Sequence, residues 1–285
     1  MSDILVRTRN LRFGYPQRGG LFRKGRLREV IKGVDLAVPH GSVLGLVGES
    51  GSGKTTLGRL LVRLLKPTVG GIQFDGVEIG GLEDAELRPL RARIQMIFQD
   101  PQSSLNPRLR LGTSLTRPLR AYGRLGKRDQ RERAAALLNL VGLPAEFSDR
   151  YPNQLSGGQR QRAGIARALA LEPDFIVADE IVSGLDVSTQ AQILVLLKEL
   201  RTRLGLTMVF ISHDLSLVRV LCDDVAILYH GEIVEYAPVS LVFSAPQHAY
   251  TRQLLAAIPL PDVEPGWLDD SPSNVIPEQP QGSAA

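Results

Sequence analysis

Apolar residues in this chain gather into short runs that stop on a glycine or a polar residue, and the spacing between those runs turns helical. ILVRTRNLRFGYP, from Ile4, mixes apolar and polar positions as a strand does. SVLGLVG (Ser42 to Gly48) is an apolar run ending in glycine, which predicts a buried strand feeding a loop. TTLGRLLVRLL then has helical spacing and stops before Pro67. GIQFDGVEI carries Asp75-Gly76 between alternating apolar residues, a hairpin signal. From Pro101 to about Pro152, helical runs broken by Gly and Pro, such as KRDQRERAAALLNLVGL, predict an inserted helical subdomain. DFIVAD and LTMVFIS are apolar runs, each preceded by a helical stretch, and VAILYHGEIVEYA reads as a further hairpin. The alternation predicts an α/β fold, a parallel sheet with helices packed on it. RGGLFRKGRLRE is read as an exposed basic loop, and the Pro-, Asp- and Ser-rich tail from about Asp262 as a disordered end. No internal repeat is visible.

Composition narrows the class. The 285 residues suffice for one large domain with a buried core, and the net charge of +4 is mild and scattered, so no nucleic-acid surface is expected. Cys222 is the only cysteine, which excludes an internal disulfide and a cysteine-built metal site and suits a reducing cytosol. The N-terminus lacks the apolar core of a signal peptide. No apolar run approaches the ~20 residues needed to span a bilayer. If the protein works at a membrane, other chains do the spanning.

The strand-to-helix junction carries the first piece of chemistry. The run Gly48-Glu49-Ser50-Gly51-Ser52-Gly53-Lys54-Thr55, continued by Thr56, fits G-x-x-x-x-G-K-[ST] in the context that motif requires. Its glycines let the backbone curl so that N–H groups point at phosphate oxygens, and the helix N-terminus adds its dipole. Lys54 would bridge the terminal phosphates of a bound nucleotide, and the Thr55 hydroxyl would bind Mg2+. FIVADE places Asp179 at the carboxyl end of a buried strand, where ligands collect in such sheets. Asp179 would help to hold Mg2+ and Glu180 would act as general base. Alone, such an acid pair is more often a cap or a surface pair; beside the phosphate loop it reads as catalytic. His213, closing LTMVFIS, is suited to reach a γ-phosphate, the alternative being a histidine satisfied by Asp214. Gln99, closing another run, could bind Mg2+ or water. Tyr15 could stack on adenine, with Phe13 competing for that role and core packing competing with both.

A second anion device follows far downstream. LSGGQ begins at Leu155; Ser156 is a good N-cap, and Gly157 and Gly158 leave amides uncovered where the helix from Gln159 starts. This stretch resembles the signature motif of ATP-binding-cassette ATPases. The same order of elements extends the resemblance from about Ile4 to Pro261: Tyr15, the phosphate loop, Gln99, LSGGQ, Asp179-Glu180, the SGLD of Ser183 to Asp186, and His213. The resemblance implies a P-loop NTPase fold with a RecA-like parallel core, antiparallel β hairpins and a helical subdomain at about 101–155, residues 1–261 forming one ATPase domain. It also implies a head-to-tail dimer in which Ser156, Gly157, Gly158 and Gln159 of one subunit meet the ATP held by the other. Asp186 is placed in the loop that links the two sites.

Finer wording points to a branch. GLVGESGSGKTT, QMIFQDPQSSLNPR, YPNQLSGGQRQRAGIARALA, VADEIVSGLDVS and QHAYTRQLLAAIP are similar to the ATP-binding subunits of oligopeptide, dipeptide and nickel importers. The basic loop before Val30 resembles their F-type partner subunits. The implied partners are a paralogous cassette, two transmembrane permeases and, indirectly, a substrate-binding protein. The implied location is peripheral, on the cytoplasmic face of the bacterial inner membrane. Peptides are the first expectation for cargo; nickel, oligosaccharides, opine-like compounds and glutathione stay open, as does a soluble non-transport cassette ATPase. Three departures from the family pattern stand out: Ile181 in place of proline, Gly184 in place of alanine, and His248-Ala249-Tyr250-Thr251 in place of His-Pro-Tyr-Thr. The first two predict a freer link after Glu180.

Overall fold

The computed structural model describes residues 3–17, 27–100, 105–126 and 128–257. Two sheets share the molecule. The smaller is antiparallel, in the order β2 (Leu27–Pro39), β1 (Ile4–Pro16), β4 (Val69–Phe74), β5 (Val77–Glu78). The larger runs β10 (Glu232–Pro238), β9 (Asp224–Tyr229), β3 (Val43–Val47), β8 (Thr207–Ser212), β7 (Phe175–Asp179), β6 (Ile94–Ile97). In it, β9, β3, β8, β7 and β6 are parallel and β10 alone pairs antiparallel.

Strand alternation divides the core in two. On β7, Phe175 and Val177 face one way and Ile176 and Ala178 the other; on β8, Val209 and Ile211 oppose Met208 and Phe210. The first set packs with Leu5, Ile31, Ile72 and Phe74 of the antiparallel sheet and with Leu57 and Leu60 of α1 (Lys54–Leu61). The second set packs with helices on the far side, α5 (Gly157–Leu169), α6 (Val187–Leu204) and α7 (Leu215–Leu221). Every residue of β3, β7 and β8 is buried, as expected of strands covered on both faces. α2 (Asp84–Arg93) leads into β6, and α3 (Leu111–Ala121) and α4 (Gln130–Leu140) occupy the stretch between β6 and β7. α8 (Val239–Ser244) and α9 (Ala249–Ala256) follow β10.

Two boundaries differ from the sequence reading. The helix after the phosphate loop ends at Leu61, not near Pro67. Arg63 takes a left-handed backbone (φ 53°), and its buried guanidinium donates to the carbonyls of Ile79, Leu65 and Leu82. That clamp outweighs the helical spacing of the last residues. The basic loop also stops sooner, since Leu27, Arg28 and Glu29 already belong to β2. Residues 18–26 of that loop and the tail from 258 lie outside the described residues. No helix among the described residues is long and apolar enough to cross a membrane.

Candidate functional site

The parallel sheet delivers Lys54, Thr55, Gln99, Asp179, Glu180 and His213 to the carboxyl ends of its strands. β3 ends at Val47 and its chain turns at Gly48, where an added Cβ would stand 2.1 Å from the Leu228 carbonyl oxygen, so only glycine fits. The loop closes at Gly53, the N-cap of α1, which supplies no side chain to cover the helix amides. Lys54 opens α1 with its side chain turned inward: Nζ donates to the carbonyls of Gly48 (2.6 Å) and Glu49 (2.9 Å). Burial lowers the Lys54 pKa from its ordinary value, and the charges of Glu180, Asp179 and Glu49 oppose that shift. A buried cation so placed favours the arrival of an anion.

β6, β7 and β8 are neighbours, so the residues that close them meet. Asp179 is buried at the end of β7 and accepts the Thr55 hydroxyl at 3.1 Å. Burial raises the Asp179 pKa, and the bond from Thr55 opposes the rise. Glu180 follows in a left-handed backbone (φ 46°), held there because its N–H extends the β7–β8 ladder to the Ile211 carbonyl at 3.0 Å. Such a posture in a residue other than glycine costs roughly 1–3 kcal/mol, and it turns the carboxylate out of the strand. Gln99 Nε2 donates to Glu180 Oε2 at 2.9 Å, and His213 Nδ1 lies 3.7 Å from Glu180 Oε1. A cavity of about 280 Å³ opens beside them, lined by Ser50, Gly51, Gly53, Lys54, Thr55, Thr56, Gln99, Glu180 and Val30 of β2. Tyr15 is half-exposed with its hydroxyl 3.4 Å from that of Thr56, its ring edge-on to the more buried Phe13.

LSGGQ is built apart from this cavity. Ser156 caps α5: its Oγ accepts the Gln159 N–H at 3.3 Å while the Gln159 side chain accepts the Ser156 N–H at 2.9 Å. No hydrogen bond among the described residues joins 156–159 to 48–56, and none of the four lines the cavity. Asp186 caps α6, accepting from the Ser188 and Thr189 hydroxyls and the Thr189 amide, and those bonds hold its pKa well below the ordinary carboxylate range. The link between Glu180 and Asp186 is tied rather than loose. Ile181 and Val182 are buried, and Gln190 Nε2 donates to the carbonyls of Val182 and Leu185. Ile181 is held by packing in the core, whereas Gly184 stands exposed at φ 74°.

The sequence reading missed two contributors. Val30 reaches the cavity from β2, a pairing that no local pattern reveals. Tyr250 of α9 accepts the Glu49 N–H at 2.8 Å; the stretch QHAYT was legible only as a similar word.

Comparison with known proteins gives the family. The family model described as ABC transporter matches residues 31–183. A relative in Sinorhizobium fredii, named as a peptide ABC transporter ATP-binding protein, is 47% identical over 100% of this chain and 82% of its own length. A Brucella ovis protein named for peptide import ATP binding is 53% identical over 82% of this chain and 74% of its own. Among solved structures, the ATP-binding cassette MJ0796, a dimer in a post-hydrolysis state bound to ADP and Pi, is 33% identical with a TM-score of 0.73, covering 82% of this chain and 98% of that one. CbiO1 of Clostridium perfringens, part of an ABC transporter complex, is 26% identical with a TM-score of 0.73, over 90% and 96% of the two chains. The chain belongs to the ABC transporter family, as an ATP-binding subunit that hydrolyses ATP.

Proposed function

We propose that this chain is one of two ATPase subunits of a bacterial peptide importer, working peripherally at the cytoplasmic face of the inner membrane. The observation that carries the reading is a division within the chain. Lys54, Thr55, Gln99 and Glu180 line one cavity, with Asp179 bonded to Thr55 and His213 beside Glu180, while the Ser156-capped helix end has no bond to that cavity. A second cassette, a paralogue docked head to tail, supplies its own Ser156, Gly157, Gly158 and Gln159 to the nucleotide held here. Asp186 and the tied turn before it lie between the two centres. Two permease subunits span the membrane, and a substrate-binding protein delivers the cargo. The names of the Sinorhizobium and Brucella relatives support peptide as that cargo.

The donor set fits Mg2+: the Thr55 hydroxyl, the Asp179 carboxylate and the Gln99 amide oxygen are all hard oxygen ligands. When bound, the ion would supply charge neutralisation on the β- and γ-phosphate oxygens. Lys54 uses two N–H donors on loop carbonyls and keeps a third for a phosphate oxygen. The Glu180 carboxylate takes the proton of the attacking water as its oxygen bonds to the γ-phosphorus. The bond from that phosphorus to the bridging oxygen breaks, and ADP leaves with the electron pair. Gln99 and His213 flank the carboxylate and orient it, and Tyr15 offers its exposed ring to the adenine. ATP holds the dimer closed because only the closed form contacts the γ-phosphate from both sides, and hydrolysis releases it.

Reconstitution tests the reading. Proteoliposomes carrying both cassettes and both permeases should accumulate a labelled peptide when ATP is on the cassette side and binding protein on the other. ATP hydrolysis stimulated by the binding protein without peptide uptake would overturn peptide as the cargo.

A further inference from the structure

The last described helix, α9, lies beyond the region matched by the family model, yet it touches the nucleotide loop. Tyr250 is 5% exposed, and its ring packs on Tyr229 of β9 with centroids 4.2 Å apart. Its hydroxyl accepts the Glu49 N–H at 2.8 Å. The Glu49 carbonyl in turn accepts the Ser52 N–H (3.2 Å) and Lys54 Nζ (2.9 Å), so one residue separates Tyr250 from the phosphate-binding lysine. The approach to α9 is anchored. Glu235 of β10, 9% exposed, accepts the amides of Gln247 and His248 at 2.9 Å each. Burial alone would raise the Glu235 carboxyl, but these bonds, together with the Thr251 side chain and the charge of nearby His248, hold the pKa below its ordinary value. His248 Nδ1 caps the helix by accepting the Tyr250 N–H at 3.2 Å.

We propose that Tyr250 is a positioning residue for the nucleotide, its hydroxyl fixing the first turn of the phosphate loop from outside. The Glu49 N–H precedes the inward-facing amides and is the loop's outer tether. Held by a buried, stacked ring, it sets the curl of the loop and the place of Lys54 before a polyphosphate arrives, which lowers the ordering cost of binding. The loop cradles the phosphates that ATP and ADP share. Tyr250 therefore acts on binding of both nucleotides and not on the chemical step.

The inference rests on residues 48–55 holding the nucleotide, which Lys54→Ala tests separately. Nucleotide titration and steady-state kinetics on the full chain with its companion subunits should show Tyr250→Phe raising Kd for ATP and for ADP by the same factor, about three- to tenfold. KM should rise with it while kcat at saturating ATP changes less than about twofold. A lowered Tm with both affinities unchanged marks a purely structural tyrosine and overturns the inference, as does a fall in kcat at constant KM. Should Tyr250→Phe fail to fold, Glu235→Gln loosens the same anchor: a smaller rise in both Kd values supports the inference, and unchanged values overturn it. If Lys54→Ala binds ATP normally, the reading of the loop itself fails; if it loses ATP while Tyr250→Phe does not, only the role of Tyr250 falls.

Discussion

Two helices of this molecule begin on glycines and open amides, and they are finished in opposite ways. α1 starts at Gly53 with no side-chain cap, and its first residues are bound into their surroundings: Lys54 to the loop carbonyls and Thr55 to Asp179. α5 starts at Ser156 with a reciprocal capping box that satisfies its own outer donors, and its Ser156 side is exposed. A helix end leaves four amides without helical partners. At α1 those amides face a cavity rich in polar groups of the same chain. At α5 the Ser156–Gln159 box occupies one of them, and those of Gly157 and Gly158 have no hydrogen-bond partner among the described residues. The first end lines a pocket within its chain; the second is capped by its own side chains, and its Ser156 is exposed. In the proposed dimer, these two ends are complementary halves of one site, the first holding the nucleotide and the second offered to the nucleotide of the companion cassette.

The sharpest way to strain this contrast is to remove chemistry from the first end and leave binding intact. Glu180→Gln should lower kcat by about 10²–10⁴ while the variant still binds ATP, seen as a stable nucleotide-bound dimer on size exclusion. Turnover near that of the unaltered chain would remove Glu180 as general base. A far smaller effect is expected in the segment between the halves. Gly184→Ala places a Cβ on a left-handed backbone (φ 74°) with open space around it, so strain is the only cost, about 1 kcal/mol. Calorimetry should show Tm lower by roughly 2–4 °C, with ATP affinity unchanged; an unchanged Tm would show that the turn relaxes.

Much of this was legible from residue order because the signals are local. Apolar runs closed by a polar residue mark β6, β7 and β8, and Gln99, Asp179 and His213 sit at or just past their ends. Asp75-Gly76 turns as its type demands, both residues at positive φ. What stayed hidden depends on distance in sequence. The order β3-β8-β7-β6 decides that Gln99 and His213 flank Glu180, and nothing in any single strand encodes that order. Arg63 ends α1 early through carbonyls up to 19 residues away. Tyr250 reaches Glu49 across 201 residues, so its hydroxyl is invisible to periodicity. Ile181 looked like lost rigidity by residue type, and neither its burial nor the Gln190 bonds that follow it can be read from residue order.

A shared centre is tested most directly by hydrolysis per chain over a dilution series, with and without the companion cassette, for the unaltered protein and for Ser156→Arg. If the centre needs two chains, the rate per chain falls toward zero on dilution, and Ser156→Arg abolishes hydrolysis in the assembled complex although the isolated variant still binds ATP. A dilute, solitary chain that hydrolyses ATP at an undiminished rate, or a Ser156→Arg complex that does so, would contradict it.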